Sequence, residues 1–383
     1  GGAECPGNSF IYTYMINTEP QKYELICPAP VCQGSSVSIK LNGSDIGIEY
    51  LLMKENMPVL GSTVQGTGDT LSWDVLLSGV YTVKGTNISN QQSVLMNGQC
   101  QAVINPNPGA GYLIGSTGNC VGDHITLNGS QAGVRYELYN NGINTLIFRD
   151  GPGPLDFGPQ ASPGEYTIKA TYITSGCTVW IDGSINLLPL PDEFQFTPAG
   201  SLCSGDEFSI KGAQPGILYS LICTPTVGAS FTLGPWMGDG NPINFGPQLE
   251  PGIYKVFAYN PLTGCDILMA DEKLIWPNPI PYNVTPATPQ CGNTTIGTDN
   301  SETGFTYRVH RIDPISGNPY NLPDPAFPVQ TGNTGQPLIF GSTSVPWTYC
   351  VIAFDPNNIC TSEMNGRVTV LPTPTQYNIQ PTG

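Results

Sequence analysis

The sequence predicts an all-β fold assembled from tandem repeats, and three observations carry that prediction. First, five anchors recur at fixed spacing. Cys120, Tyr136, Phe157, Tyr166 and Cys177 return as Cys203, Tyr219, Phe245, Tyr254 and Cys265, and again as Cys291, Tyr307, Phe340, Tyr349 and Cys360. In each set the first tyrosine lies 16 residues after the first cysteine, the second tyrosine 9 after the phenylalanine, and the last cysteine 11 after that tyrosine. A looser copy runs Cys32, Tyr50, Trp73, Tyr81 and Cys100, with offsets of 18, 8 and 19. Self-similarity at a fixed period marks a tandem array. Second, apolar residues alternate with polar ones, and no stretch sustains a helical period. Third, Gly (46) and Pro (37) are abundant while charged residues are only 11%, so turns are frequent and the polar surface is mostly Asn, Thr, Ser and Gln.

Each element follows from these patterns. In the second repeat HITLN places Ile125 and Leu127 on one face, VRYELY places Val134, Tyr136 and Leu138, and EYTIKATY places Tyr166, Ile168 and Ala170. Period-two runs separated by turn residues every eight to twelve positions predict a sandwich. Gly47, Gly133, Gly216 and Gly304 stand one short step before the strand of the first tyrosine, where a tight turn with positive φ calls for glycine. Phe157, Phe245, Phe340 and Trp73 are expected to plug the core. Tyr81, Tyr166, Tyr254 and Tyr349 open the penultimate strand after a turn, the place of the tyrosine corner in immunoglobulin-like sandwiches. The repeats are therefore expected to be immunoglobulin-like β-sandwiches in an extended, rod-like array.

Boundaries fall at proline pairs followed by an aromatic: PNPGAGY, LPLPDEF, PNPIPY and LPTPTQY, with a weaker joint at TEPQKY. Proline stiffens the chain, so these are short semi-rigid joints. They delimit repeats at 20–106, 107–189, 190–278 and 279–372. Residues 1–19, with Cys5 and FIYTYMIN, match the closing strand of a preceding repeat. Residues 373–383 match the opening strand of a following one. The expectation is a piece of a longer array.

Composition bounds the function. A net charge of −16 and pI near 4.3 exclude the basic footprint that nucleic acid requires. No apolar run is long enough to span a membrane. Twelve cysteines point to an oxidising, extracellular compartment. His124 and His310 accompany no nucleophile motif, and GPGP (151–154) and GDG (238–240) lack the strand-to-helix context of a phosphate loop. No catalysis and no cofactor are expected. Loop acids at Asp150, Asp156, Asp239 and the run from Thr298 to Glu302 could ligate a structural calcium ion, but none sits in a DxDxDG frame.

Cys-x-Gly, then G-[IVF]-x-Y, then G-x-Y-x-[VI]-x-A, then GC, then P-x-P-x-x-Y, resembles the Ig-like repeats of very large Bacteroidetes surface proteins. These include adhesins of the SprB type, secreted by the type IX system and associated with gliding motility. The resemblance covers all 383 residues. It implies a cell-surface, filament-like adhesin stalk whose partners are adjacent repeats of the same long chain or filament and an external surface or glycan ligand. It also implies O-glycosylation at Asp-[Ser/Thr]-hydrophobic sites, here Thr70 in Asp69-Thr70-Leu71. The first repeat departs from the pattern, its second cysteine being displaced by an eight-residue insertion from Ile88 to Leu95.

The disulfide pattern follows from topology. The first frame cysteine is placed where the second strand begins and the other where the penultimate strand ends. Those strands run in the same direction, so the two cysteines lie at opposite poles, about 20 Å apart for six residues. A disulfide needs Cα atoms within about 7 Å. Head-to-tail stacking instead pairs Cys32 with Cys177, Cys120 with Cys265, and Cys203 with Cys360. Cys5, Cys100 and Cys291 are left for neighbouring repeats, and Cys27, Cys223 and Cys350 are unassigned. A bond inside each repeat, such as Cys120 with Cys177, is the alternative. The function expected is a non-enzymatic structural stalk or filament segment of a surface adhesin. The alternatives are a carbohydrate- or receptor-binding array, using Trp180, Trp236, Trp276 and Tyr320, or a pilin-like subunit polymerising by strand exchange.

Overall fold

The computed structural model describes residues 19–375. Cys5 lies outside them, and so do the strands expected in 1–19 and 373–383, apart from Glu19 and residues 373–375. Every regular element among the described residues is a β-strand. Four apolar cores, drawn from residues 23–104, 112–187, 194–275 and 282–370, each fill one sandwich. The chain divides after Leu188 into two compact units, and each contains two repeats.

Repeat 3 shows the plan. One sheet orders Phe196–Thr197, Glu207–Ile210 and Ile243–Pro247; the other orders Leu202–Cys203, Asp266–Trp276, Gly252–Tyr259, Leu218–Pro225 and Phe231–Met237. The first strand is broken in two. Its first half pairs antiparallel with the second strand, and its second half crosses to the other sheet and runs parallel to the last strand. The break falls at Pro198, which has no N–H to continue a ladder. Repeat 1 breaks at Cys27-Pro28 and repeat 4 at Thr285-Pro286, with the same two pairings on either side. In repeat 2 the parallel half is the single bridge of Cys120 with Leu188. The other named ladders are antiparallel, and the strand order defines an immunoglobulin-like sandwich.

Burial follows the alternation. Ile125, Leu127, Val134, Tyr136, Leu138, Tyr166, Ile168 and Ala170 are all buried, as are Trp73, Phe157, Phe245 and Phe340. Each large apolar side chain so placed contributes about 1.5–3 kcal/mol. Gly47, Gly133, Gly216 and Gly304 have φ of 86°, 74°, 80° and 84°, the left-handed turn conformation that glycine adopts without strain.

A second recurring tyrosine has a role that the spacing did not reveal. The hydroxyls of Tyr50, Tyr136, Tyr219 and Tyr307 accept the N–H groups of Asp45, Gln131, Gln214 and Glu302, five residues earlier, at 2.8–2.9 Å. Each hydroxyl thereby fixes the turn before its own strand. Against the carbonyls of those same turn residues press Gly66, Gly151, Gly238 and Gly332, where a Cβ would lie 1.8–2.3 Å from the oxygen. Gly151 and Gly238 belong to the GPGP and GDG strings, and these two glycines serve close backbone approach.

Candidate functional site

The chemistry-bearing residues that repeat are cysteines, and in repeats 2, 3 and 4 the strands place them at opposite ends of the sandwich. In repeat 3 Cys203 ends the second half of the first strand and pairs with Trp276, the last residue of the strand that follows Cys265 directly. Eleven residues of strand separate the two cysteines, roughly 35 Å. That exceeds the reach of any disulfide. The first frame cysteine therefore sits on the broken first strand, one turn before the position expected from sequence at the start of the second. The turn itself is held by a carboxylate: Cys203 and Cys120 donate their N–H groups to Asp206 Oδ2 (2.8 Å) and Asp123 Oδ2 (2.9 Å). Joint asparagines add a tie, with Asn107 donating to the Gln33 carbonyl (3.2 Å) and Asn278 to that of Ser204 (2.7 Å).

The second frame cysteine closes a five-residue turn into the last strand. Tyr172, Asn260 and Asp355 donate their N–H groups to the carbonyls of Cys177, Cys265 and Cys360 at 2.8–3.0 Å. In repeat 4 the buried Asp355 carboxylate also accepts from Cys360 N–H at 2.7 Å. In unit one Cys32 and Cys177 are disulfide-bonded, with Cα atoms 5.5 Å apart and 145 residues between them in sequence. In unit two Cys203 and Cys360 are bonded likewise, at 5.6 Å and 157 residues. Cys177 and Cys360 are fully buried there. Cys120 and Cys265 are each disulfide-bonded as well.

Repeat 1 requires a correction. Its turn is closed by Asn87 N–H to Gln92 O at 2.8 Å, the same five-residue step as in the other repeats, so no insertion displaces the cysteine. Gln92 holds the second frame position. Cys100 instead stands on the last strand opposite the corner tyrosine Tyr81, where repeat 2 has Ile185 opposite Tyr166. It is buried beside Cys27, so it is not placed to bond a neighbouring repeat. Cys291 does hold the first frame position, as an exposed thiol that ends the parallel half-strand. Cys223 and Cys350 are buried free thiols in the sandwiches, and burial pushes Cys350 up to about 12.

The corner tyrosines each donate to the carbonyl four residues back: Tyr81 to Leu77 (2.9 Å), Tyr166 to Ser162 (2.7 Å), Tyr254 to Glu250 (2.8 Å) and Tyr349 to Val345 (3.2 Å). Among the described residues no group of three or more His, Cys, Asp or Glu could hold a metal ion. Asp150 is paired with Arg135 at 3.0 Å, which holds its carboxyl below the usual range. Asp156 accepts from Gly158 N–H and from His124, and Asp239 from Asn241. His310 is buried with Nδ1 on the Tyr320 carbonyl at 2.8 Å. The four aromatics considered for ligand binding are spread over three repeats. Trp180 packs edge-on to Tyr139 in repeat 2, Trp236 packs on Phe245 in repeat 3, Trp276 is half-buried at the end of the last strand there, and Tyr320 lies in repeat 4 near Trp347. Thr70 is exposed just before Leu71–Val75. No helix among the described residues is long and apolar enough to cross a membrane.

No protein-family model matches the chain, and no curated protein matches it. Among solved structures it is similar to the I67–I69 I-band fragment of titin, at 13% identity over 67% of this chain and 97% of that one, with a TM-score of 0.32. It is also similar to the N-terminal four Ig domains of Dscam1 isoform 6.9, at 10% identity over 91% of this chain and all (100%) of that one, TM-score 0.22. A third similar structure is Sidekick-1 immunoglobulin domains 1–4, at 13% identity over 93% and 98%, TM-score 0.21. The chain is a tandem array of immunoglobulin-like sandwiches, an assignment that rests on the strand order and corner geometry described above.

Proposed function

We propose that this array is a non-catalytic, load-bearing spacer: a stalk or filament segment of a large bacterial cell-surface adhesin. The observation that carries the reading is the placement of the disulfides. They join one sandwich to the next instead of bracing each internally, as Cys32–Cys177 and Cys203–Cys360 show within the two units. A bond of that kind adds nothing to a catalytic cleft. It limits bending and extension between repeats.

The pairing of the first and last strands supports the same reading. Once an inter-repeat bond is reduced, tension applied at the two ends of a repeat pulls its first strand against its last. In repeat 3 these run parallel at Leu202–Cys203 and Ile275–Trp276, so their hydrogen bonds are loaded together in shear instead of one at a time. The exposed Cys291 is the thiol that a following repeat would bond. Extracellular placement, type IX secretion, gliding and a glycan on Thr70 belong to this reading through the family resemblance. Electron microscopy of material from the native host tests it. A uniform beaded filament at the cell surface is expected, and a compact soluble particle would overturn it.

A further inference from the structure

Cys27 and Cys100 are the cysteines of repeat 1 that the inter-repeat frame leaves over. Cys27 lies at the break in the first strand, between Leu25–Ile26 and Val31–Cys32. Around this break the first strand tracks the last one at one constant offset. Leu25 N–H donates to Asn97 O at 3.1 Å, Val31 N–H to Val103 O at 3.1 Å, and Gln33 N–H to Asn105 O at 2.8 Å. Cys27 Sγ lies 3.6 Å from Gln99 O, with the same separation of 72 residues. Cys100 is the next residue, so the two cysteines are neighbours across the break. The backbone on both sides of the break thus holds the pair in place.

Repeat 3 shows that these two positions are a tie point of the fold. Lys273 stands opposite the corner Tyr254 as Cys100 stands opposite Tyr81. Pro198 follows the first half-strand as Cys27 does. The buried Lys273 ammonium donates to the carbonyls of Pro198 and Gly200, the latter at 2.8 Å. An ammonium clamps the break to the last strand in repeat 3. Two cysteines occupy that place in repeat 1.

We propose that Cys27 and Cys100 close to a disulfide internal to repeat 1 by exchange with a small disulfide of the glutathione class. Cys27 is exposed and Cys100 fully buried, so the exchange starts at Cys27. Its thiolate attacks one sulfur of the oxidant, forming a mixed disulfide and expelling one thiolate. Cys100 then attacks Cys27 Sγ, its proton passes to the second leaving thiolate, and the S–S bond forms. Two protein thiols are oxidised and one small disulfide is reduced to two thiols. Burial pushes the Cys100 thiol up to about 12, which makes its attack the slower step. The product ties the first strand to the last by a bond inside the repeat, a class distinct from the inter-repeat bonds.

The test is to treat the full chain with oxidised glutathione, quench with an alkylating agent in denaturant at mildly acidic pH and digest without reduction. The expected result is a Cys27–Cys100 peptide lighter than its two free parts by two hydrogens, with loss of alkylated Cys27. Recovery of both cysteines alkylated, or of Cys100 linked elsewhere, overturns the proposal. Cys27→Ser changes an exposed side chain and leaves the core intact. In it Cys100 is expected as a free thiol that alkylates only on denaturation, and any cross-link of Cys100 in that variant also overturns the proposal. Cys100→Ser is expected to trap glutathione on Cys27 as a persistent mixed disulfide.

Discussion

Cys32 and Cys177 are 145 residues apart in the chain, yet their Cα atoms lie 5.5 Å from each other and their sulfurs are bonded. Tension entering before Cys32 and leaving after Cys177 crosses the sulfur bridge, and the residues between carry none of it. At about 3.4 Å per extended residue, roughly 490 Å of chain is withheld from extension. Single-molecule stretching of unit one without reductant should show no unfolding step from inside that loop. Adding reductant should release it. A full-length unfolding step from either repeat before reduction would mean that the bond does not carry the load.

The two tyrosine sets separate donor loss from acceptor loss. Tyr166→Phe and Tyr254→Phe each remove a hydroxyl donor from a carbonyl at 2.7–2.8 Å, which should cost about 1 kcal/mol in the affected repeat. Tyr136→Phe instead strands the Gln131 N–H, which donates to that hydroxyl at 2.9 Å inside a turn. Leaving a partly buried donor unsatisfied should cost more, about 1–3 kcal/mol. Urea unfolding followed by hydrogen exchange repeat by repeat would measure both. Equal effects, or none in either corner variant, would remove the roles assigned here.

Much of this was legible because a repeat in sequence is a repeat in packing. Tyr136, Phe157 and Tyr166 recur at fixed offsets since each fills the same place in a sandwich of fixed strand length, so core and corner could be read from spacing alone. The break in the first strand was not legible. A proline after two residues of strand reads as a boundary, and nothing local says that the chain crosses to the other sheet before Cys203. The misplacement of Cys100 has a similar origin. Spacing offered the next cysteine after Tyr81, while the turn closed by Asn87 and Gln92 shows that glutamine occupies the frame position. The clue available was length, because the turn needs only five residues.

Burial sets an alkaline limit on the array. Desolvation raises the hydroxyls of Tyr50, Tyr136, Tyr166, Tyr219 and Tyr254 above the ordinary 10.0, and that of Tyr307 to about 12. A group whose folded value is raised binds its proton more tightly in the native state. Its contribution to stability is full below pH 10 and falls as pH rises toward the folded value. Tyrosinate absorbance should therefore stay low past pH 10 for these groups and then rise steeply, together with loss of β circular dichroism. Independent, shallow titration centred on pH 10 with the fold intact would contradict the burial of these hydroxyls.

The bonds within the two units follow one rule: the first frame cysteine of a repeat joins the second frame cysteine of the next. Cys32 to Cys177 and Cys203 to Cys360 are its instances. A bond between the two frame cysteines of one repeat would be the alternative. The geometry inside a repeat rules against the alternative, since Cys120 pairs with Leu188 at the far end of the segment that Cys177 opens. Non-reducing peptide mapping of the full chain should return Cys32–Cys177 and Cys203–Cys360 peptides and no Cys120–Cys177 peptide. Cys177→Ser should convert Cys32 into an alkylatable thiol while Cys203–Cys360 persists. A Cys120–Cys177 peptide from the unmodified chain would break the rule, and with it the reading of these cysteines as links between successive sandwiches.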